Sequence, residues 1–203
     1  MHHSPIGTQT ATTATVQDMS IDDGLRAELS RLQRENRTLS IALAEMERVA
    51  ERDMLTPLYN RRYFLSALHQ RIARVERNKD RVALIYVDVD GLKTINDRFG
   101  HYAGDIALIE IAARLSESMR RGDVLARIGG DEFGILLDHV GPTEAKAMVR
   151  RLKSTVEDDP LDFNGSVVRL GAAFGMTMIE LGKSAEELLG IADARMYDAK
   201  RAA

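Results

Sequence analysis

The chain has 203 residues, 44% of them hydrophobic and 29% charged, with a net charge of −3 and no cysteine. That length holds one full domain and an appendage. The weak negative charge gives no general attraction to nucleic acid or an anionic membrane, and the lack of thiols excludes disulfides and thiolate metal sites.

No apolar run approaches the roughly 20 residues of a bilayer span, and the N-terminus lacks a signal-peptide core, so a cytoplasmic protein without a membrane span is expected. Residues 1–20 are rich in Thr, Ser and Gln with little apolar periodicity and are expected to be disordered. Over 21–52 a different pattern runs. Leu25, Leu29, Leu32, Asn36, Leu39, Leu43, Met46 and Ala50 alternate four and three apart, a heptad seam with Leu29, Asn36, Leu43 and Ala50 at a. The intervening positions are mostly charged or small. A single Asn at a costs stability but fixes register by pairing with its mate in a parallel two-stranded coil, so this segment is expected to form a homodimer. The alternative is an amphipathic helix lying on its own domain.

From residue 53 the pattern is that of a globular domain. Thr56-Pro57 reads as an N-cap and first helical position, with a helix running through Val75. Val82 to Val89 is a near-continuous apolar, β-branched run, the mark of a strand buried on both faces. The glycine-punctuated GLKTINDRFGHYAGD leads into a helix from about Ile106 to Met119, followed by strands Val124–Ile128 and Glu132–Leu137. Thr143 reads as the cap of a helix to about Glu157. Asn164-Gly165 marks a hairpin between Leu161–Phe163 and Val167–Ile179, and Ser184 with Glu187 forms a capping box before the last helix. This order predicts an α+β fold with a mostly antiparallel sheet and helices packed on it.

Two acidic corners interrupt that scaffold. Asp88 and Asp90 end the buried strand and, two apart, share a face. Asp131 and Glu132 follow a glycine pair, Gly129-Gly130, between two strands. If those strands are neighbours, Asp88, Asp131 and Glu132 converge, and clustered carboxylates call for cations. Hard oxygen ligands with room for phosphate suit Mg²⁺, and paired metal ions assist phosphate chemistry. Taken singly, the corners read as a solvated hairpin tip and a strand-end cap. Between them, Lys93 is a mobile cation suited to phosphate. Asn96 and Asp105 are either helix caps or readers of guanine, whose adjacent N1–H and amine one carboxylate can accept together; spacing does not choose.

Gly129-Gly130-Asp131-Glu132-Phe133 resembles the GGDEF signature of diguanylate cyclases. The resemblance extends, in order, over about residues 52–203. Asp53-Met-Leu-Thr56-Pro-Leu-Tyr-Asn60-Arg61-Arg62 is similar to the family's entry motif. Asp88-Val-Asp90 through Gly104-Asp105 is similar to its nucleotide motif, and Ala192-Asp193-Ala194-Arg195-Met196-Tyr197-Asp198-Ala199-Lys200 to its closing helix. It implies a palm-like nucleotidyl-cyclase sheet with a βαββαβ core, and condensation of two GTP into cyclic di-GMP and two pyrophosphates. It also implies that Asp88, Asp131 and the Val89 carbonyl ligate Mg²⁺ (or Mn²⁺) beside Glu132, with Asp131 the preferred base at the ribose 3′-hydroxyl. By the same resemblance Asn96 and Asp105 read guanine, His101 belongs to the same substrate segment, and Lys93 and Lys200 hold phosphates. One domain holds one GTP, so the coil acquires a purpose: raising the effective concentration of the second half-site. Arg120-Arg121-Gly122-Asp123 fits the family's RxxD inhibitory motif, where Arg120 and Asp123 bind product and Arg151 adds a contact from a neighbouring domain; the alternative is a helix end and turn.

There are departures. Leu92 stands where Phe is common, and Ala173 where Ser is usual. The family continues past Lys200 with a Gly-Arg-Asn stretch, whereas this sequence stops at Ala203, with Arg201 as a stand-in. Weaker GTP binding or a truncated chain is expected from that. Two other classes compete with the enzyme: a non-catalytic receptor for cyclic di-GMP or GTP, and a coiled-coil signalling adaptor. The intact acids argue against both.

Overall fold

The structure is a computed structural model that describes residues 26, 28–43, 45, 46 and 50–201. Residues 1–20 and seam residue Leu25 lie outside the described residues. The chain divides into two units, Met1–Ala50 and Glu51–Ala203.

In the first unit, residues 28–43 form helix α1. The seam is solvent-facing within the chain: Leu29, Leu32, Leu39, Leu43 and Met46 are all at least half exposed. Asn36 on that stripe accepts a 3.4 Å hydrogen bond from the Ser40 hydroxyl, and Arg31 pairs with Glu28 one turn back at 2.9 Å.

In the second unit the elements are β1 (Tyr59–Asn60), α2 (Arg61–Asn78), β2 (Val82–Val89), α3 (Leu92–Phe99), α4 (His101–Glu117), β3 (Val124–Arg127), β4 (Glu132–Asp138), α5 (Pro142–Glu157), β5 (Leu161–Phe163), β6 (Ser166–Val168), β7 (Ala172–Met178) and α6 (Ala185–Arg201). The main sheet has the order β1-β3-β4-β2-β7, antiparallel except for the β1–β3 edge. The expected α+β class and mostly antiparallel sheet are therefore what the chain adopts.

Strand β2 is central, and its two faces feed two cores. Ala83, Ile85 and Val87 pack with Ile111 and Leu115 of α4 and Leu152 and Val156 of α5. Val82 and Leu84 pack with Phe64 and Leu68 of α2 and Leu188 and Ala192 of α6. Burial on both faces explains why β2 reads as a continuous apolar run rather than an alternating one.

Helix boundaries correct the sequence reading in four places. Thr56 is not the cap of α2. Asn60 is, accepting from the Tyr63 N–H at 3.1 Å, while the Thr56 hydroxyl donates instead to Asp53 at 2.8 Å. Thr143 does not cap α5: Gly141 occupies the cap with Pro142 just inside, where its missing N–H costs nothing. The glycine-punctuated segment is itself helical, giving α3, and α4 begins at His101 rather than Ile106, because Gly100 at φ 86° makes the corner between them. The long last strand is two. β6 pairs in the hairpin with β5, with Asn164 and Gly165 at positive φ in the turn, and β7 pairs with β2. The capping box of α6 forms as read: Glu187 N–H donates to Ser184 Oγ at 3.2 Å and Ser184 N–H to Glu187 at 2.8 Å.

Candidate functional site

The register of β2 and β4 sets Asp88 directly opposite Glu132, so their side chains share the face covered by α2 and α6. The turn is sewn to the same strand by Val89 N–H donating to the Asp131 carbonyl at 2.9 Å. The predicted neighbourhood of the two corners is thus formed by the backbone itself. Gly129 is required there: a Cβ would fall 2.0 Å from Glu132 Oε2, so the carboxylate lies folded over the glycine.

Lys200 reaches this corner from the end of α6. Its ammonium hydrogen-bonds to Asp88 and lies 3.6 Å from Asp90. The hydrogen bond to Asp88, with the charges of Asp90 and Asp131 beyond it, holds the Lys200 pKa above its ordinary value. The approach depends on Gly175 in β7, where a Cβ would stand 1.9 Å from the Ala192 carbonyl oxygen of α6.

Among the described residues no three acidic or histidine side chains are gathered closely enough to hold a metal by themselves. The donor chemistry nonetheless fits a hard cation. Asp88, Asp131 and Glu132 offer only oxygen, and an ammonium already stands against Asp88 as a cation. Mg²⁺ characteristically takes one or two carboxylates and completes its shell with water and substrate phosphates.

On the other side of the turn is an open cleft of about 490 Å³. Lys93 and Asn96 of α3, His101 and Asp105 of α4, and Arg127, Gly130 and Asp131 of the turn line it. Neither Asn96 nor Asp105 is a helix cap: each is the fifth residue of its helix. Asn96 Oδ1 is buried with no hydrogen-bond partner, an uncommon and costly state for an amide oxygen. It is also fitted to Gly104, where a Cβ would lie 2.0 Å away. The structure therefore brings Lys93, Asn96, His101, Asp105 and Asp131 into one cleft, and sets Asp88, Glu132 and Lys200 together at the neighbouring strand ends.

Arg127 is a member of this site that the sequence reading passed over. Its guanidinium donates to the Gly130 carbonyl at 2.7 and 3.2 Å and to Asp53 Oδ1 at 3.3 Å. Asp53 also accepts from Thr56 N–H at 2.8 Å. Burial opposes its charge, but the hydrogen bonds from Thr56 and the Arg127 charge outweigh it and hold the carboxyl below its usual range. The entry motif is thus a brace for the turn. Its signal in the sequence was an Arg two residues before the glycine pair.

Tyr86 was also missed. Burial, together with a hydrogen bond to Glu132 and its charge, pushes the phenol well above its usual pKa.

Arg120, Asp123 and Arg151 meet at a second cavity of about 320 Å³, with His139, Glu144 and Met148. Asp123 accepts from the Arg120 N–H at 3.0 Å, so it also serves as the turn residue of the alternative reading. Arg151 stands in the same chain as Arg120 and donates to the Ser118 carbonyl at 2.8 Å.

Residues 50–203 match the family model described as diguanylate cyclase, GGDEF domain. The chain is 36% identical over 176 residues to a bifunctional diguanylate cyclase/cyclic di-GMP phosphodiesterase, MucR, of Pseudomonas aeruginosa, covering 84% of this chain and 26% of that protein. It superposes on the diguanylate cyclase SiaD of P. aeruginosa, crystallised with its activator SiaC, with a TM-score of 0.73 and 30% identity, covering 95% of this chain and 76% of that one. It superposes on the coiled coil and GGDEF domain of DgcB from Caulobacter crescentus, in complex with c-di-GMP, with a TM-score of 0.78 and 25% identity, covering 88% and 95%. The chain spans between 14% and 45% of the length of the curated relatives it matches.

Proposed function

This chain belongs to the diguanylate cyclase, GGDEF-domain family, and from that membership we propose that it condenses two GTP molecules into cyclic di-GMP, releasing two pyrophosphates. The observation that carries the reading is the cleft that gathers Lys93, Asn96, His101, Asp105 and Asp131, with an unpartnered buried acceptor at Asn96.

Asp105 accepts the guanine N1–H and one amine hydrogen, and Asn96 Oδ1 takes the other, ending its isolation. Lys93 and Lys200 bind phosphate oxygens and offset the charge that builds in the transition state. His101 borders the bound nucleotide. Asp131 takes the proton of the ribose 3′-hydroxyl. That oxygen attacks the α-phosphorus of a GTP held by a second copy, the bond to pyrophosphate breaks, and the reciprocal step closes the ring. A divalent cation, Mg²⁺ or Mn²⁺, held by Asp88, the Val89 carbonyl, Asp131 and Glu132, supplies positive charge to the triphosphate when bound.

The reaction needs two domains face to face. The exposed stripe of Leu29, Leu32, Leu39, Leu43 and Met46 supports a homodimer through a parallel coiled coil within residues 21–52, feeding a catalytic domain at 53–203. The cavity of Arg120, Asp123 and Arg151 supports product inhibition, its arginines matching the phosphates of cyclic di-GMP. No helix among the described residues is long and apolar enough to cross a membrane, and we place the protein in the cytoplasm, where GTP is available.

The deciding experiment incubates the protein with GTP and Mg²⁺ beside Glu132→Ala and identifies products by chromatography and mass. Cyclic di-GMP from the wild type and none from the variant is the expected result. A folded dimer that makes no cyclic di-GMP sinks the reading.

A further inference from the structure

On the diguanylate cyclase reading, we propose that Tyr86 is a positioning residue, whose hydroxyl holds the Glu132 carboxylate in the orientation the reaction uses. Tyr86 precedes Asp88 by two on β2 and so faces the same way. Its cross-strand partners are Gly134 and Gly175, while Asp88 is opposite Glu132. Tyr86 is therefore the diagonal neighbour of Glu132, within reach of a long aromatic side chain, and the two are hydrogen-bonded.

The surroundings explain why a tyrosine suits this position. Both flanking strands carry glycine, and other elements fill the space. The Phe64 ring from α2 comes within 2.5 Å of where a Cβ at Gly134 would be, and α6 backbone occupies the space at Gly175. Tyr86 lies between these two approaches, half-buried, on the wall of a cavity of about 150 Å³ lined also by Phe64, Leu65, Leu189, Arg61 and Asp193. Arg61, the cation of that cavity, spends a donor on the Ile128 carbonyl at 3.0 Å. With Glu132 already folded over Gly129, the phenol adds a second restraint on the carboxylate. Tyr86 does not line the nucleotide cleft. Its effect on GTP must act through Glu132.

The test is Tyr86→Phe, which keeps the ring and removes the donor. Groups that orient a metal-holding side chain are worth about 10- to 100-fold in activity or metal affinity. The expected result is a fall in kcat of about 10- to 100-fold with KM for GTP within about twofold. A second readout needs no turnover: Mn²⁺ binding, followed by electron paramagnetic resonance with 3′-deoxy-GTP present, weakens about 10-fold in Tyr86→Phe. The same substitution in a Glu132→Gln background weakens Mn²⁺ no further.

Unchanged kcat and Mn²⁺ affinity in Tyr86→Phe would overturn the proposal. So would an equal loss of affinity in both backgrounds, which marks general damage to packing, or a wild type that takes up no Mn²⁺ with the nucleotide. If the wild type binds Mn²⁺ but forms no cyclic di-GMP, the enzyme reading fails and the Mn²⁺ comparison still decides the role of Tyr86.

Discussion

The turns at the two ends of β4 are pinned in the same way and carry opposite chemistry. At its start, Arg127 grips the Gly130 carbonyl and is backed by Asp53. Near its end, Arg71 grips the Gly122 carbonyl at 3.0 Å and is backed by Asp138 through two 3.1 Å contacts. Each pin is an Arg–Asp pair that is largely buried. The first turn presents carboxylates and the second borders the cavity of Arg120 and Arg151. Between them runs a seven-residue strand, about 20 Å of backbone, buried from Phe133 to Leu137. The shared brace gives each turn a fixed shape, and the side chains then choose the ligand. At the acidic end Lys200 already neutralises Asp88. The arginine end has only Asp123 and Glu144 as acids in its cavity, so it is the end suited to an anionic ligand.

The largest effect that tests this contrast is Glu132→Ala. Cyclic di-GMP formation should fall by about a thousand-fold, the scale of removing a group that acts on transition-state charge, while circular dichroism stays unchanged because Glu132 is outside both hydrophobic cores. Retained synthesis would mean that the acidic turn is merely a braced loop, like its counterpart.

Next in size is Gly104→Ala. A Cβ there displaces Asn96 Oδ1, so KM for GTP should rise about 10-fold or more, as expected when a nucleotide hydrogen bond to a buried group is lost. Initial rates across a GTP range measure it. An unchanged KM would remove Asn96 from guanine recognition.

A smaller effect belongs to the other end of β4. Arg120→Ala should leave the initial rate within about twofold and abolish the early stall in product, because a bound phosphate loses its charge-assisted partner. Progress curves with and without added cyclic di-GMP read this directly. A stall that persists in the variant would assign the cavity no inhibitory role.

The sequence showed these ends unequally, and the reason is geometric. The acidic corner was legible because strand periodicity and a glycine pair place Asp88 and Glu132 by local rules, and the register confirms them as partners. The capping box of α6 was legible for the same reason, its bonds spanning three residues. What escaped was fixed by distant contacts. Asp53 and Arg127 are 74 residues apart, and Lys200 meets Asp88 across 112. No pattern along the chain announces that Thr56 serves Asp53 instead of capping a helix. The helicity of α3 was hidden by its flanking glycines, which turned out to be the corners at its two ends, Gly91 and Gly100.

The smallest predicted effect concerns the brace itself. Asp53→Asn removes a charge that accepts from Thr56 and Arg127, in a position partly open to solvent. The cost should be about 1 kcal/mol, the net worth of a screened charge-assisted hydrogen bond, or about 3 °C for a domain of this size. The pH dependence has a definite sign. The folded-state pKa of Asp53 lies below its unfolded value, so its stabilisation is fully present above the unfolded value, about pH 4, and is lost as pH falls through the folded one. Melting curves of wild type and Asp53→Asn should therefore stay apart at neutral pH and converge in acid below about pH 4. A gap that persists unchanged in acid would show that Asp53 acts through shape and not charge. The brace at the start of β4 would then differ in kind from the Arg71–Asp138 pair near its end.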